Sequence, residues 1–240
     1  MVIECIGLPG SGKTYLMEKV ERELKRRDVD YVNVSACCMN RLLWKIGRKL
    51  ARALVFLSGD ARWLRRRLQK ILDGEGRLES SFGIYDSPDY TIRSAALYSF
   101  LYRRMIRSSK IYLFDEGLAH ALVKFCADFK ISDDTFLKLV RVSEEGTRTS
   151  RIVILNGITR EDCLQSIEKR NRHICAFDEL ESGRLSDLLG EYERLNGAYE
   201  SHFKVLEVQR EEEERRKVSR ILGRIRQVLE KAGNRAGAVI

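Results

Sequence analysis

The chain has 240 residues, of which 44% are hydrophobic and 33% charged, enough apolar material for a packed core and too much for a disordered chain. Its formal charge of +9 is concentrated in residues 41–72, where ten basic residues face one acid, Asp60, so a histone-like, uniformly basic protein is excluded in favour of a neutral body with one basic segment. No apolar run approaches the roughly 20 residues of a membrane-spanning helix, and Met1 leads straight into Val2 and Ile3 without a charged leader, so no membrane span and no secretory signal are expected.

The first predicted element is a strand over 2–6, a near-continuous apolar run of the kind covered on both faces of a sheet. It runs into Gly7-Leu8-Pro9-Gly10-Ser11-Gly12-Lys13-Thr14, which satisfies G-x-x-x-x-G-K-[ST] in full, and a helical pattern over 13–27 follows. The chemistry requires this order. Gly7, Gly10 and Gly12 let the backbone curl so that successive N–H groups, that of Ser11 included, point at phosphates. The next helix adds the positive end of its dipole. Lys13 reaches the β- and γ-phosphates and the Thr14 hydroxyl ligates Mg²⁺, so ATP and Mg²⁺ are the expected ligands.

A second strand over 31–34 precedes the basic segment. There Arg41, Lys45, Arg48 and Arg52 recur on one helical face. Arg62, Arg65, Arg66 and Lys70 form a similar face on a second helix, with Leu64, Leu68, Ile71 and Leu72 opposite. An anionic ligand or polymer is the expected partner, nucleic acid included, and an anionic membrane surface is the competing one. Trp44 and Trp63 lie within this segment, Trp44 on its apolar stripe. A turn-rich stretch over 85–90, with Ser87 or Asp89 as a helix cap, leads to a helix over 93–107 that carries Arg93 and Arg103.

The third strand, Ile111–Phe114, ends in Asp115-Glu116, as in a Walker B segment. An acid there can hold Mg²⁺ opposite Thr14. Glu116 reads equally as a group that orients or deprotonates an attacking atom and as the cap of the next helix. Residues 118–145 then carry two helices, broken near Ile131-Ser132-Asp133. After a fourth strand over 152–155, Thr159 and Asp162 form a capping box for a helix over 160–170, in which Arg160 reads as a surface residue. A fifth strand over 204–208 and a last helix follow. Glu211/Arg215, Glu212/Arg216 and Glu213/Lys217 mark that helix as solvated, and 232–240 as a frayed tail.

The six cysteines contain no C-x-x-C pair, which predicts reduced, buried thiols and a cytoplasmic protein. His120, His173 and His202 show no metal spacing and read as surface or packing residues. Strands separated by helices predict a three-layer α/β/α sandwich with a mostly parallel five-stranded sheet. One domain is expected over 1–231, with a basic helical insertion at about 37–72.

On these residues the chain resembles the P-loop kinases, in particular the thymidylate kinase and deoxynucleoside kinase group, over most of its element order. The resemblance implies a phosphotransferase that moves the γ-phosphoryl of MgATP to a nucleotide or another anionic acceptor. It implies that Leu97-Tyr98-Ser99-Phe100-Leu101-Tyr102-Arg103 is a helix whose arginine contacts the acceptor. The segment with Arg48 and Arg52, and Arg93 after it, then stand where acceptor-binding helices lie. Residues at about 160–180 would form a lid, bringing Arg170 and Arg172 over the transferring phosphate.

Three departures bear on the acceptor. Asp115-Glu116-Gly117 lacks the arginine of those kinases and is similar to the Asp-Glu of ATP-hydrolysing motors, in which the Glu polarises water. No acid follows the second strand to serve as base for a nucleoside hydroxyl, which favours a phosphorylated acceptor needing position and charge neutralisation. Basic helices replace the usual segment after that strand. The alternative function is an ATPase or ATP-dependent switch acting with nucleic acid or a protein partner.

Overall fold

The computed structural model describes residues 1–37, 59–85, 87–170, 179–209 and 212–231. Its strands are β1 (Val2–Ile6), β2 (Tyr31–Asn33), β3 (Ile111–Phe114), β4 (Arg151–Gly157) and β5 (Val205–Gln209). They form one sheet in the order β2-β3-β1-β4-β5, and every pairing is parallel, where the sequence predicted a mostly parallel one. Parallel neighbours need crossovers, and helices supply them. These are α1 (Lys13–Arg26), α2 (Val34–Cys37), α3 (Gly59–Leu72), α4 (Pro88–Met105), α5 (Leu118–Asp128), α6 (Asp133–Ser143), α7 (Arg160–Arg170), α8 (Ser182–His202) and α9 (Glu214–Lys231).

The sheet is covered on both faces, which is why its strands read as apolar runs rather than alternating ones. Ile3 and Cys5 of β1 join Leu113, Ile152 and Ile154 against Leu16, Val20 and Leu24 of α1 and Ile221 and Ile225 of α9. Val2 and Ile6 face the opposite layer, with the apolar sides of α3, α4, α5, α6 and α8. The last helix is therefore a core element. It begins at Glu214, after all three acids expected to mark it, and buries Val218, Ile221, Leu222, Ile225, Val228 and Leu229. Glu212 does meet Arg216 at 3.6 Å and Arg220 at 2.8 Å, but Glu211 lies outside the described residues.

Local signals behave as their chemistry predicts at the helix starts. Ser132 caps α6, its hydroxyl accepting from the Thr135 N–H at 3.4 Å. The Asp162 N–H donates to Thr159 Oγ1 at 3.1 Å, one arm of the expected box, and the Thr159 hydroxyl donates to Asp162 Oδ2 at 3.0 Å. At α4 the expectation needs correction. The helix starts at Pro88 rather than 93, with Ser87 at the cap position but without a side-chain cap bond. Asp89 is no cap either; its carboxylate takes the guanidinium groups of Arg65 at 2.8 Å and of Arg93.

Of the basic insertion, 38–58 lie outside the described residues, and with them Arg41, Lys45, Arg48, Arg52 and Trp44. α3 has the expected division, with Ala61, Leu64, Leu68 and Leu72 buried beneath an arginine-rich outer face. Cys5, Cys126 and Cys163 are buried free thiols. Among the described residues no helix is long and apolar enough to cross a membrane.

Candidate functional site

The turn from β1 into α1 requires glycine. Gly7, Gly10 and Gly12 have φ of 132°, 85° and 85°, and a Cβ on Gly7 would stand 2.6 Å from the Asn156 carbonyl oxygen. The loop is gripped from both sides. Asn156, on β4, donates from Nδ2 to the Ser11 carbonyl at 2.6 Å, and Cys163 Sγ, on α7, donates to the Pro9 carbonyl at 2.6 Å. Ser11 Oγ is buried without a hydrogen-bond partner among the described residues. Lys13 is only 6% exposed, and its Nζ donates to the carbonyls of Leu8 at 2.9 Å and Gly7 at 3.3 Å. Burial pushes its ammonium below the ordinary lysine value, and the nearby Glu116 carboxylate works in the other direction.

β3 lies between β1 and β2, so the residue leaving its carboxyl end meets both neighbours. Asp115 is that residue. Thr14 Oγ1 donates to its Oδ2 at 2.9 Å, and Ser35 Oγ, just past β2, donates to Oδ1. The Asp115 N–H returns to Ser35 Oγ at 3.0 Å. Thr14, Ser35 and Asp115 thus present hydroxyl and carboxylate oxygens side by side, the donor set that Mg²⁺ takes. Ser35 stands where the sequence reading found no acid, and no local signal marked it as part of the site.

Glu116 does not cap α5. The cap position is Gly117, with no side-chain cap bond, and the Glu116 Oε1 lies 3.3 Å from His120 Nε2. The imidazole beside it, with Lys13 and Lys124 also contributing, holds the Glu116 carboxyl well below the usual carboxylate range. Burial in turn pushes His120 below its ordinary value. Glu116 is therefore ionised and faces an imidazole N–H, while its side chain stays 57% exposed. His120 is more than the surface or packing residue expected, and the i,i+4 acid–His pair was a signal that could have found it.

Behind this turn sits a buried charge cluster that the apolar reading of the first strand passed over. Glu4, on the same face of β1 as Val2 and Ile6, is fully buried. Its carboxylate accepts from Arg151 Nε, from the Ala119 N–H at 3.0 Å and from the Tyr102 hydroxyl at 3.3 Å. Tyr102 in turn accepts from the Leu118 N–H at 3.1 Å, so two N–H groups at the start of α5 are fixed from below. Arg151 also pairs with Glu144 at 2.8 Å, and the Tyr199 hydroxyl donates to Glu144 at 2.7 Å.

This cluster requires glycine after the acids. A Cβ on Gly117 would collide with Glu4 Oε2 and the Tyr102 hydroxyl, so no side chain is accommodated. Gly117→Ala is expected to destabilise the fold by about 1–3 kcal/mol, as overpacking at an unyielding site does. Urea unfolding would check this, and a stability equal to wild type would show that the cluster can move aside.

Of the predicted site residues, the structure brings together Gly7, Gly10, Ser11, Gly12, Lys13, Thr14, Asp115 and Glu116. α7 lies against the loop, with Ile167 and Ser166 3.6 Å from a Cβ built on Gly10. Arg170 is its last residue, and Arg172 lies outside the described residues. Arg160 is tied to Glu193 of α8, with Nε to Oε2 at 3.1 Å. Arg93 is in the second turn of α4 and held by Asp89. Arg103 is near the other end of α4, which leads into the start of β3, so it stands toward the end of the sheet away from the loop. A cavity of about 340 Å³ opens beside the loop, lined by Gly10, Ser11, Gly12, Tyr15, Asn156 and Lys217 among others.

Sheet order, the loop after β1 and the acid after β3 together define the P-loop nucleoside-triphosphatase fold in its deoxynucleoside kinase-like form. Among solved structures the chain is similar to deoxyadenosine kinase from M. mycoides with the products dCMP and dCDP bound. The TM-score is 0.51 at 14% identity, covering 95% of this chain and 100% of that one. The same kinase with dATP gives 0.49 at 13%, covering 94% and 99%. Chaetomium thermophilum Kti12 in complex with ADP-AlF3 gives 0.47 at 17%, also covering 94% and 99%. The likeness is one of fold. No family model matches the chain, and no curated protein matches it in sequence.

Proposed function

We propose that this chain is an ATP-dependent phosphotransferase, a single P-loop domain over 1–231 with a lid at about 160–180. One observation carries the reading: Lys13, Thr14 and Asp115 meet at the mouth of a glycine-built loop whose Ser11 hydroxyl is buried without a partner among the described residues. The loop N–H groups would hold the phosphates, and Lys13 would exchange its two carbonyl partners for phosphate oxygens. Thr14 and Asp115 would hold Mg²⁺, which would supply charge neutralisation at the phosphates. Arg170 and Arg172 would act on the transferring phosphoryl, and Glu116 would orient the acceptor. Arg48, Arg52, Arg93 and Arg103 are the acceptor residues the resemblance implies; the place of Arg93 near the start of α4 supports its part, and that of Arg103 near the far end of α4 speaks against its own.

The second reading, an ATPase or switch, has its own observation. Glu116 is ionised and exposed, with Lys13 nearby and no arginine in Asp115-Glu116-Gly117, a carboxylate able to orient and polarise water. Labelled ATP presented with nucleosides, nucleotides, phosphosugars and oligonucleotides separates the two. The phosphotransferase is expected to turn over ATP slowly alone and to label one acceptor, with Arg93→Ala raising that acceptor's KM. Fast hydrolysis without any acceptor, reduced about 10²–10⁴-fold by Glu116→Gln, would establish the ATPase instead.

A further inference from the structure

The outer face of α3 is a second chemical surface, built from none of the residues proposed to act at the loop. Around the helix, Arg62, Arg66 and Lys70 are exposed at four-residue intervals and have no acidic partner among the described residues. They line a groove of about 350 Å³ with Arg65, Gln69 and Asp73. Trp63 lies on the same outer face, 48% exposed, with the Arg67 guanidinium 4.5 Å from the centre of its ring. Arg67 reaches Glu145 at 2.7 Å and so joins α3 to a neighbouring cavity of about 480 Å³ that also holds Arg141 and Arg148. Arg148 is paired with Glu144 at 3.7 Å, so the cations of α3 without an acidic partner among the described residues, and the exposed indole beside them, are the main chemistry of this face.

What such a face can bind is narrowed by what lies under it. A basic amphipathic helix rests on a membrane by sinking its apolar side into the lipid. The apolar side of α3 is not available: Ala61, Leu64, Leu68 and Leu72 are each no more than 3% exposed, packed against α4 and α6. The polar face alone is presented. Its cations are mostly arginines, which fork onto phosphate oxygens, and successive ones rise about 6 Å along the axis. An extended phosphodiester strand matches that repeat, and an indole beside it offers a stacking surface to an unpaired base.

We propose that the outer face of α3, with Arg141 and Arg148, binds a single-stranded segment of nucleic acid, its phosphates on Arg62, Arg66 and Lys70 and a base on Trp63. This does not depend on which reaction the phosphate loop performs. The test is fluorescence anisotropy with labelled 20-mers of single-stranded RNA and DNA and the corresponding duplexes. Polyglutamate and phosphatidylserine vesicles serve as anionic controls.

Single-stranded RNA, DNA or both should bind at 50 mM salt, and the two arms tell the sugars apart. Arg62→Gln/Arg66→Gln/Lys70→Gln should weaken binding at least tenfold and lower the slope of log K against log salt by about 2. Trp63→Ala should weaken it roughly tenfold with the slope kept. Both variants should bind MgATP as wild type does, which also shows that they fold. The proposal is overturned if neither single strand binds, or if binding ignores the triple variant. It is equally overturned if duplex or polyglutamate binds as well with Trp63→Ala silent, or if vesicles bind in place of the oligonucleotides.

Discussion

Lys13→Ala is expected to reduce MgATP turnover by about 10²–10³-fold, the scale on which removing one preorganised charge from a transition state acts. The side chain is buried, its Nζ hydrogen-bonds to the carbonyls of Gly7 and Leu8, and it belongs to neither apolar core cluster among the described residues. Burial already works against its charge. Removing it therefore costs the fold little, and the thermal midpoint should stay within a few degrees of wild type. Thr14→Ala should show the complementary loss, a raised requirement for Mg²⁺ with nucleotide binding less affected, because its hydroxyl faces Asp115 rather than the loop. Wild-type turnover in Lys13→Ala would remove the basis of the proposed function, whatever the basic face of α3 binds.

Arg151→Met is expected to have the largest effect on stability, about 3–5 kcal/mol, because it leaves the buried Glu4 carboxylate without its cation and Glu144 with Arg148 alone, at 3.7 Å. Arg151 lies between Glu4 and Glu144, which sit at 0% and 3% side-chain exposure. Burial already pushes the Glu4 carboxyl above its ordinary value of 4.5, with Arg151 pulling against it. Without that pull, the folded variant keeps a proton that the unfolded chain has released. Its deficit should then be smallest near or below pH 4.5 and should grow as the pH rises above it. Urea unfolding at a series of pH values reads both size and sign. The triple variant Glu4→Gln/Glu144→Gln/Arg151→Met should recover much of the loss, and a flat profile for Arg151→Met would show that water reaches the site.

The turn after β3 ties these results together. Glu4 and Tyr102 fix the first N–H groups of α5, and their closeness leaves room only for glycine at 117. Asp115 and Glu116 stand on that support, so the stability of the cluster and the placement of the proposed catalytic acids are one problem.

Much of this protein is legible in its sequence because the relevant forces are local. Strand β1, the start of α1 and the phosphate loop are contiguous, and the order apolar run, glycine turn, amphipathic helix leaves one solution. The capping residues Ser132 and Thr159 act within three residues of themselves, and the Asp115 position follows from the end of an apolar run. The apolar spacing on α3 announced its division into a buried and a basic face. What the local reading mistook were positions where a distant partner wins. Asp89 had a cap's composition, but two arginines claim its carboxylate, one of them Arg65 from another helix. Glu4 interrupted an apolar strand by one residue, too little to register as a buried charge.

The sequence by itself determined the fold class, the nucleotide loop and the concentration of positive charge, since composition, contiguous motif and helical period need no partner to be read. Only the tertiary structure decided which residues complete the site. Ser35 with Asp115, Asn156 with Ser11 and Arg151 with Glu4 lie 80, 145 and 147 residues apart, and parallel pairing of the strands brings each pair together. A hydrogen bond or ion pair is satisfied by geometry rather than by spacing along the chain, and that geometry exists only once the sheet has formed.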